Sequence, residues 1–359
     1  MNIAFLVHDI HFGGGGERVT VNMANYFATK GDEVTIVSIS TRKTVSIFQI
    51  NTLVHIDYLD IDQDSGNNLI RKIQSVFAVT KYFTKISDPI FILGIGTYPT
   101  LLAALLPKRE NQIKIGCQHG SFASVKYLWS FLRRLFWRRL NMVVSLTGYD
   151  VPKLLKLNKN VCVIPNSVSF FPELPAALRN NTILSIGRID YPKGFDLSLE
   201  VFSHFCLLNE DWKLRIIGDG PLRKTIEATI KREGLTERVS ILPSTDKIVE
   251  EYLNASVFMM TSRTEGLPMV LLEAQACGLP IVAFDCETGP SEIVTNNENG
   301  YLIADYNIEK MSQQLAELAS DFDKRKEFGE NARNNVRKFF PDQVFAQWER
   351  LFEQLSSAI

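Results

Sequence analysis

FMMTSRTEGLPMVLLEAQACGLPIV, running from Phe258 to Val282, reads as a buried strand that turns into a helix, with one glutamate before the helix and one inside it. Val257, Met259 and Met260 belong to the apolar run of the strand. Thr261, Ser262 and Thr264 lead into a turn punctuated by Gly266 and Pro268. Pro268 suits a first helical turn, because it has no N–H to leave unbonded and its φ is already helical. Residues Met269 to Cys277 are good helix formers, and Gly278-Leu279-Pro280 stops them.

The free N–H groups at such a helix start favour phosphate. Glu265 stands in front of that start, and Glu273 follows roughly 7–8 Å further along the axis. An anion pocket flanked by two hydroxyl-binding carboxylates has the outline of a nucleoside diphosphate linked to a sugar. On residue types alone a plainer reading has the better claim, with Glu265 capping the helix and Glu273 solvated on its surface.

The surrounding words change that balance. Glu265 and Glu273, with seven residues between them, and the segments TEGLPMVLLEA, GLPIVAFD, TGPSEIV and NGYLI resemble the paired-glutamate motif and its neighbours in glycosyltransferase family 4. That family is retaining and has the GT-B fold. The resemblance extends over nearly the whole chain. It implies an α/β chain of two Rossmann-like, doubly wound domains facing across a cleft, with a C-terminal helix crossing back to the first domain. The expected division is an acceptor-binding domain over 1–170, a linker over 171–181, a nucleotide-sugar-binding domain over 182–339 and the crossover helix over 340–359.

Length and composition agree with two soluble domains: 359 residues, 45% apolar and 22% charged. Five scattered cysteines with no C-x-x-C argue against disulfide or metal frameworks and for a reducing cytosol. Met1-Asn2 leads straight into an apolar strand, so no secretory signal is expected, and no apolar window is long enough to span a bilayer. The net charge of −1 conceals an asymmetry, +8 over residues 1–170 and −9 over the rest. A basic half is expected to face something anionic, a membrane or a phosphorylated acceptor. Nucleic acid is not an expected partner.

Residues 2–8, the loop DIHFGGGG, a helix from about Glu17 to Lys30 and the strand EVTIVSI make a βαβ opening. Four glycines at a helix mouth let backbone approach a ligand, or simply make a flexible turn; their spacing is not that of a dinucleotide site. The family resemblance places Gly14, Gly15 and Gly16 beside the donor diphosphate. VHIDYL, a helix over about 67–86, PIFILGIG, a short helix over 100–106 and IKIGCQH continue the alternation. His119 ends the last of these strands, where open α/β sheets place ligands. A lone histidine is more often structural; the resemblance makes it a contact of the transferred sugar, with acceptor contacts in the loop Ser121 to Ser124.

VKYLWSFLRRLFWRRL, residues 125–140, carries Val125, Leu128, Trp129, Leu132, Leu135, Phe136 and Leu140 at helical spacing, expected to form the buried face. Lys126, Arg133, Arg134 and Arg138 occupy the other face, and Phe131 and Trp137 stand off the stripe. A basic helix with aromatics outside its buried stripe resembles an interfacial membrane helix, at about 1 kcal/mol per basic residue near an anionic surface. Trp129, Arg133, Arg134, Trp137 and Arg138 are therefore candidates for contact with the inner membrane surface or with the pyrophosphate of a lipid-linked acceptor. A packed helix with a solvated basic back is the alternative.

MVVSLT is expected to close the first domain, and TILSIGRIDYPKGFD to start the second. Arg188 and Lys193, five apart on a glycine-bounded loop, both reach one diphosphate, or else Arg188 pairs with Asp190 at the surface. The resemblance assigns the diphosphate to them. It also places Leu242, Pro243 and Ile248 near the nucleobase, and Gly266, Leu267, Pro268, Met269 and Val270 at the donor. Helices are expected over 196–208, 222–233, 308–318 and 323–339, and the tail FFPDQVFAQWERLFEQL has an apolar face that includes Phe345, Trp348 and Phe352.

Breaking an anomeric carbon–phosphate bond leaves extra negative charge on the diphosphate, which Arg188, Lys193, the glycine amides and the start of the helix at Met269-Val270 would stabilise. These groups replace a divalent cation in this reading, so metal-independent transfer with no cofactor is expected. Glu265 would hold sugar hydroxyls and Glu273 ribose hydroxyls. Retention, with front-side attack, is implied by the resemblance alone. The donor is expected to be a UDP-sugar, and the acceptor a polyprenyl-diphosphate-linked saccharide of bacterial capsule, exopolysaccharide or O-antigen synthesis at the cytoplasmic face of the membrane. The rivals are a non-catalytic partner subunit of the same fold and a nucleotide-sugar epimerase.

Overall fold

The computed structural model describes residues 1–11, 14–40, 48–61, 68–120, 122, 127–207 and 209–357. Gly13, Ser121, Ala123, Ser124, Val125 and Lys126 lie outside the described residues, and with them most of the expected acceptor loop. Contacts divide the chain into two units, one of 1–167 with 342–359 and one of 168–341. Each is a parallel α/β layer structure.

The first unit has seven strands: β1 (Asn2–Val7), β2 (Glu33–Ser38), β3 (His55–Tyr58), β4 (Ile90–Ile95), β5 (Gln112–Gln118), β6 (Met142–Ser145) and β7 (Val161–Val163). Their order is β3-β2-β1-β4-β5-β6-β7, and every pairing is parallel. A parallel sheet is covered on both faces, which is why β4 is buried at all six positions and reads as one apolar run. Alternate residues serve opposite faces. Ala4, Leu6, Ile90 and Ile92 pack with Val79 and Phe83 of the helix Asn68–Thr84, Leu102 of the helix Thr97–Leu105, and Trp137. Phe91 meets Phe352 at 4.6 Å between ring centroids. Phe352 belongs to the terminal helix Pro341–Ser356, which also packs Phe345 and Phe352 at a tilt against Phe27 of the helix Gly15–Thr29. Tyr26 Oη donates to Glu349 Oε1 at 3.1 Å in the same packing.

The second unit has β8 (Thr182–Ile186), β9 (Lys213–Ile217), β10 (Val239–Leu242), β11 (Val257–Met260), β12 (Ile281–Phe284) and β13 (Gly300–Ile303), ordered β10-β9-β8-β11-β12-β13 and again parallel throughout. Its core gathers Leu199, Phe202 and Phe205 of the helix Phe195–Cys206 with Met259, Val282 and Phe284 of the sheet and Met311 and Leu315 of the helix Ile308–Ser320. Both sheets are of the doubly wound, Rossmann-like kind implied by the resemblance.

Several local expectations are corrected. MVVS does not close the first sheet, because VCV adds an edge strand beyond it. The segment 171–181 is packed into the second unit: Ala176 N–H donates to the Cys277 carbonyl at 2.8 Å, and Arg333 donates to the Pro172 carbonyl at 2.9 Å. The expected helix over 323–339 is a helix Phe322–Asn335 followed by a 3-10 turn, Val336–Phe339.

The largest correction concerns the basic segment. A helix covers Tyr127–Phe136, and Trp137–Arg139 forms a 3-10 turn. Trp137 is fully buried and Arg133 is 1% exposed, while Leu128 is 60% and Leu135 39% exposed. Of the face expected inside, Leu128 and Leu135 point outward, Trp129, Leu132 and Phe136 are partly buried, and Leu140 is buried. The tighter turn after Phe136 drops Trp137 into the sheet core, and Arg133, one helical turn earlier, lies with it. Its guanidinium sits 4.3 Å from the Phe122 ring and 4.5 Å from Trp137, two π faces that stand in for water. Burial holds the Arg133 pKa down at about 10, against an upward pull from Asp150. Neither Arg133 nor Trp137 is placed to touch lipid. Arg134 and Arg138 are exposed, and Trp129 is half-buried edge-on against Tyr98.

Candidate functional site

In a doubly wound sheet the strand order reverses at one point, and the loops leaving the two strands there diverge to open a crevice. In the second unit that point lies between β8 and β11. The loop after β8 carries Arg188 and Lys193; the loop after β11 carries Glu265. Two sequence motifs 72 residues apart are thus brought into contact: Lys193 Nζ donates to Glu265 Oε1 at 2.6 Å. Ser262 Oγ donates to the same oxygen at 2.6 Å. Glu265 is only 8% exposed, so its charge is balanced locally by an ammonium and a hydroxyl.

The two loops are clamped from behind. Gly194 adopts φ +65°, and a Cβ there would strike the Thr261 carbonyl. Thr261 Oγ1 donates to the Gly194 carbonyl at 2.8 Å and lies 2.5 Å from Ser198 Oγ. Arg263 forks onto Asp196 at 2.8 and 2.6 Å, donates to the Tyr191 carbonyl at 3.0 Å and covers the Tyr191 ring. The Arg263 hydrogen bonds hold the Asp196 carboxyl below its usual range. TGPSEIV finds its meaning here too: Thr288 Oγ1 donates to the Glu265 carbonyl, and Gly289, at φ +98°, leaves room for the Gly266 carbonyl.

The helix after this loop runs Met269–Ala276, with Pro268 as its cap residue rather than its first turn. Glu273 is not solvated. It is 1% exposed, and its Oε2 accepts from Tyr252 Oη at 2.9 Å. Burial, then the Glu273 charge, push the neighbouring Cys277 thiol up to about 12; burial and Glu265 do the same for Cys286. Leu242 and Pro243 leave β10, and Ile248 opens the helix Ile248–Leu253. Gly218 N–H donates to the Leu242 carbonyl at 2.9 Å, and Ile189 N–H to the Asp219 carbonyl at 2.9 Å, so the loops after β8, β9 and β10 line one edge of the sheet. Arg188 is half exposed and 3.5 Å from Asp190, the surface pair that its sequence context also allowed.

In the first unit the strand order reverses between β1 and β4. Gly14 caps the helix Gly15–Thr29, and a Cβ on Gly16 would lie 3.8 Å from Ile95 at the end of β4. Glu17 bends over this helix start. Burial raises its carboxyl pKa, while the backbone amides of Glu17 and Gly14 pull it back. His119 follows β5, half-buried but with both ring nitrogens shielded from solvent and without a hydrogen-bond partner among the described residues. Burial lowers its pKa to about 4, so the imidazole is neutral, offering one donor and one acceptor. It lines a small cavity with Val19, Cys117, Asn166, Ser167 and Phe345.

The sequence analysis missed Ser262, Arg263, Asp196, Thr288 and Tyr252, all of which hold site groups in place. Ser262 and Arg263 lie inside the quoted stretch, yet polar residues in a turn carry no mark of what they reach. Asp196 and Tyr252 had no signal at all.

Residues 169–335 match the family model described as Glycosyl transferases group 1. The amylovoran biosynthesis glycosyltransferase AmsD of Erwinia amylovora is 29% identical, over 96% of this chain and 98% of its own. A Campylobacter jejuni enzyme is 26% identical over the full length of both chains; it is named as the alpha-1,4-N-acetyl-D-galactosaminyltransferase for a GalNAc-alpha-(1->4)-GalNAc-alpha-(1->3)-diNAcBac-PP-undecaprenol. The crystal structure of Staphylococcus aureus TarM with Fondaparinux, alpha-GlcNAc-glycerol and UDP superposes with a TM-score of 0.84 at 16% identity, covering 98% of this chain and all of that one. The fold is that of GT-B glycosyltransferases, and along nearly its whole length the chain is similar in sequence to bacterial glycosyltransferases.

Proposed function

We propose that the protein is a retaining, metal-independent glycosyltransferase. It moves a hexose or N-acetylhexosamine from a UDP-sugar to a lipid-linked saccharide in bacterial surface polysaccharide synthesis, working at the cytoplasmic face of the membrane. The observation that carries this reading is the Lys193–Glu265 contact at the β8/β11 reversal, where a cation for the diphosphate and a carboxylate for sugar hydroxyls stand side by side. The similarity to an enzyme named for an undecaprenol-linked acceptor supports the acceptor class.

In this reading Lys193 and Arg188, with the amides at the start of the helix Met269–Ala276, balance the charge that grows on the departing diphosphate. Such groups supply the neutralisation for which other transferases use a divalent cation. Glu265, held by Ser262, accepts hydrogen bonds from sugar hydroxyls, and Glu273 is assigned to the ribose. His119 adds a neutral donor and acceptor for a sugar hydroxyl, and Gly14, Gly15 and Gly16 add backbone amides. With no carboxylate assigned as nucleophile, the departing phosphate takes the acceptor proton on the face that the acceptor attacks.

Heat unfolding in the presence of a panel of nucleotide sugars tests the donor. A ligand at 100 times its Kd adds about 2.7 kcal/mol to stability, so the true donor raises the melting temperature by several degrees. UDP-galactose and UDP-N-acetylgalactosamine are the first candidates and UDP-glucose the next. Protection by no nucleotide sugar would end the reading, and turnover of a protecting donor separates an enzyme from a non-catalytic subunit.

A further inference from the structure

The first unit displays two rows of large apolar side chains to solvent. On the helix Asn68–Thr84 they are Leu69, Ile70, Ile73 and Phe77, exposed by 48–71%. On the helix Tyr127–Phe136 they are Tyr127, Leu128, Phe131 and Leu135, exposed by 39–91%. Each row follows the same spacing, i, i+1, i+4 and i+8, which is one face of a helix. Single exposed apolar residues are ordinary, but adjoining rows of this size mark an interaction surface.

The two rows belong together. Both helices pack on Thr97–Leu105, and Lys72 Nζ stands 4.8 Å over the Trp129 ring, joining one helix to the other. The charge carried by the two helices themselves has one sign. Residues 68–84 and 127–139 hold seven Lys and Arg and no Asp or Glu. Arg133 is the one sealed in the core; Lys81, Arg134, Arg138 and Arg139 are exposed around the rows. No described helix is long and apolar enough to cross a membrane, so these residues suit a surface and not a span.

We infer that these two helices together form a docking face for an anionic lipid surface, with the apolar rows entering the acyl boundary and the cations meeting headgroups. A basic rim around an apolar centre complements an anionic bilayer, whereas a second copy meeting it through the same face would bring like charges together. The inference deepens the membrane part of the proposed function and rests on it for its biological setting, but not for its physical argument.

The test is co-sedimentation of the full chain with vesicles of phosphatidylglycerol and phosphatidylethanolamine, against vesicles of phosphatidylcholine. Wild type should pellet with the anionic vesicles and stay largely in solution with the neutral ones. I73S/F77S and L128S/F131S should each weaken partitioning roughly tenfold or more. R134Q/R138Q should weaken it by about fivefold for each arginine. Melting temperature and protection by UDP-sugars should be unchanged in I73S/F77S and L128S/F131S. Failure of wild type to pellet, or undiminished pelleting by all three variants, overturns the inference. So does a wild-type dimer in light scattering that F77S dissolves, which would assign the face to a second copy. Vesicle binding with no nucleotide-sugar protection would leave the docking face standing and remove the transferase reading.

Discussion

Lys193 and Glu265 form a 2.6 Å ion pair across the strand-order reversal of the second sheet, with the carboxylate 8% and the lysine 30% exposed. The pair assembles a cation and a hydroxyl acceptor before any ligand arrives. In the proposed function, an incoming diphosphate would share the ammonium while Ser262 keeps its hold on the same Glu265 oxygen.

Lys193→Met should lower transfer by roughly 10²–10³-fold, the usual loss for one group that stabilises developing charge. Glu265→Gln should do as much. Being partly solvated, the pair itself should contribute only about 1 kcal/mol to folding. The two single variants and the double variant, compared in turnover and in urea unfolding, check both figures. Wild-type turnover in either single variant removes the assigned roles.

Stability should depend on pH through His119. Its pKa is about 4 in the folded chain against an ordinary 6.5. Between those values the unfolded chain binds more protons, so this group's effect is to lower stability as pH falls from 6.5 toward 4, with none above 6.5. The amount at pH 4 is roughly 1–3 kcal/mol. His119→Gln should flatten the curve in that window, as read from melting temperatures at pH 5 and pH 7.

Arg263→Lys tests the clamp behind the site. Lysine keeps the charge but loses the planar fork onto Asp196 and the cover on Tyr191. We expect kcat/KM for the donor to fall several-fold while the melting temperature drops by only a few degrees. An unchanged kcat/KM would mean the loops hold their places without it.

Arg133→Met should be near neutral or stabilising, since a buried cation satisfied mainly by aromatic faces is replaced well by an apolar side chain of similar length. Trp137→Ala, in contrast, should cost about 3–5 kcal/mol. Denaturant unfolding of the two variants distinguishes these outcomes. A large loss from Arg133→Met would show that the guanidinium has a polar role in the core.

Much of the site was legible because it is written as local words. A strand followed by glycine, proline and a helix former marks a turn wherever it occurs, so Glu265, Lys193 and the glycines after β1 could be placed at strand ends from residue order. The side on which a helical residue lies is different. Arg133 and Trp137 carry the residue types of a surface and an interface, and the 3-10 turn that carries Trp137 inward has no signature in VKYLWSFLRRLFWRRL. Glu273 shows the same limit, for nothing near it predicts Tyr252 as its partner.

The sequence by itself determined the class of fold, the strand-to-helix junctions and the identity of the charged groups at them, because hydrophobic period and turn chemistry act over a few residues. Only the tertiary structure decided that Lys193 meets Glu265, that Arg263 locks the two loops, and that the basic helix turns leucines outward and an arginine in. Those outcomes depend on strand order and on which face of a helix finds the sheet. Both are settled by burial summed over the whole unit, not by any one segment.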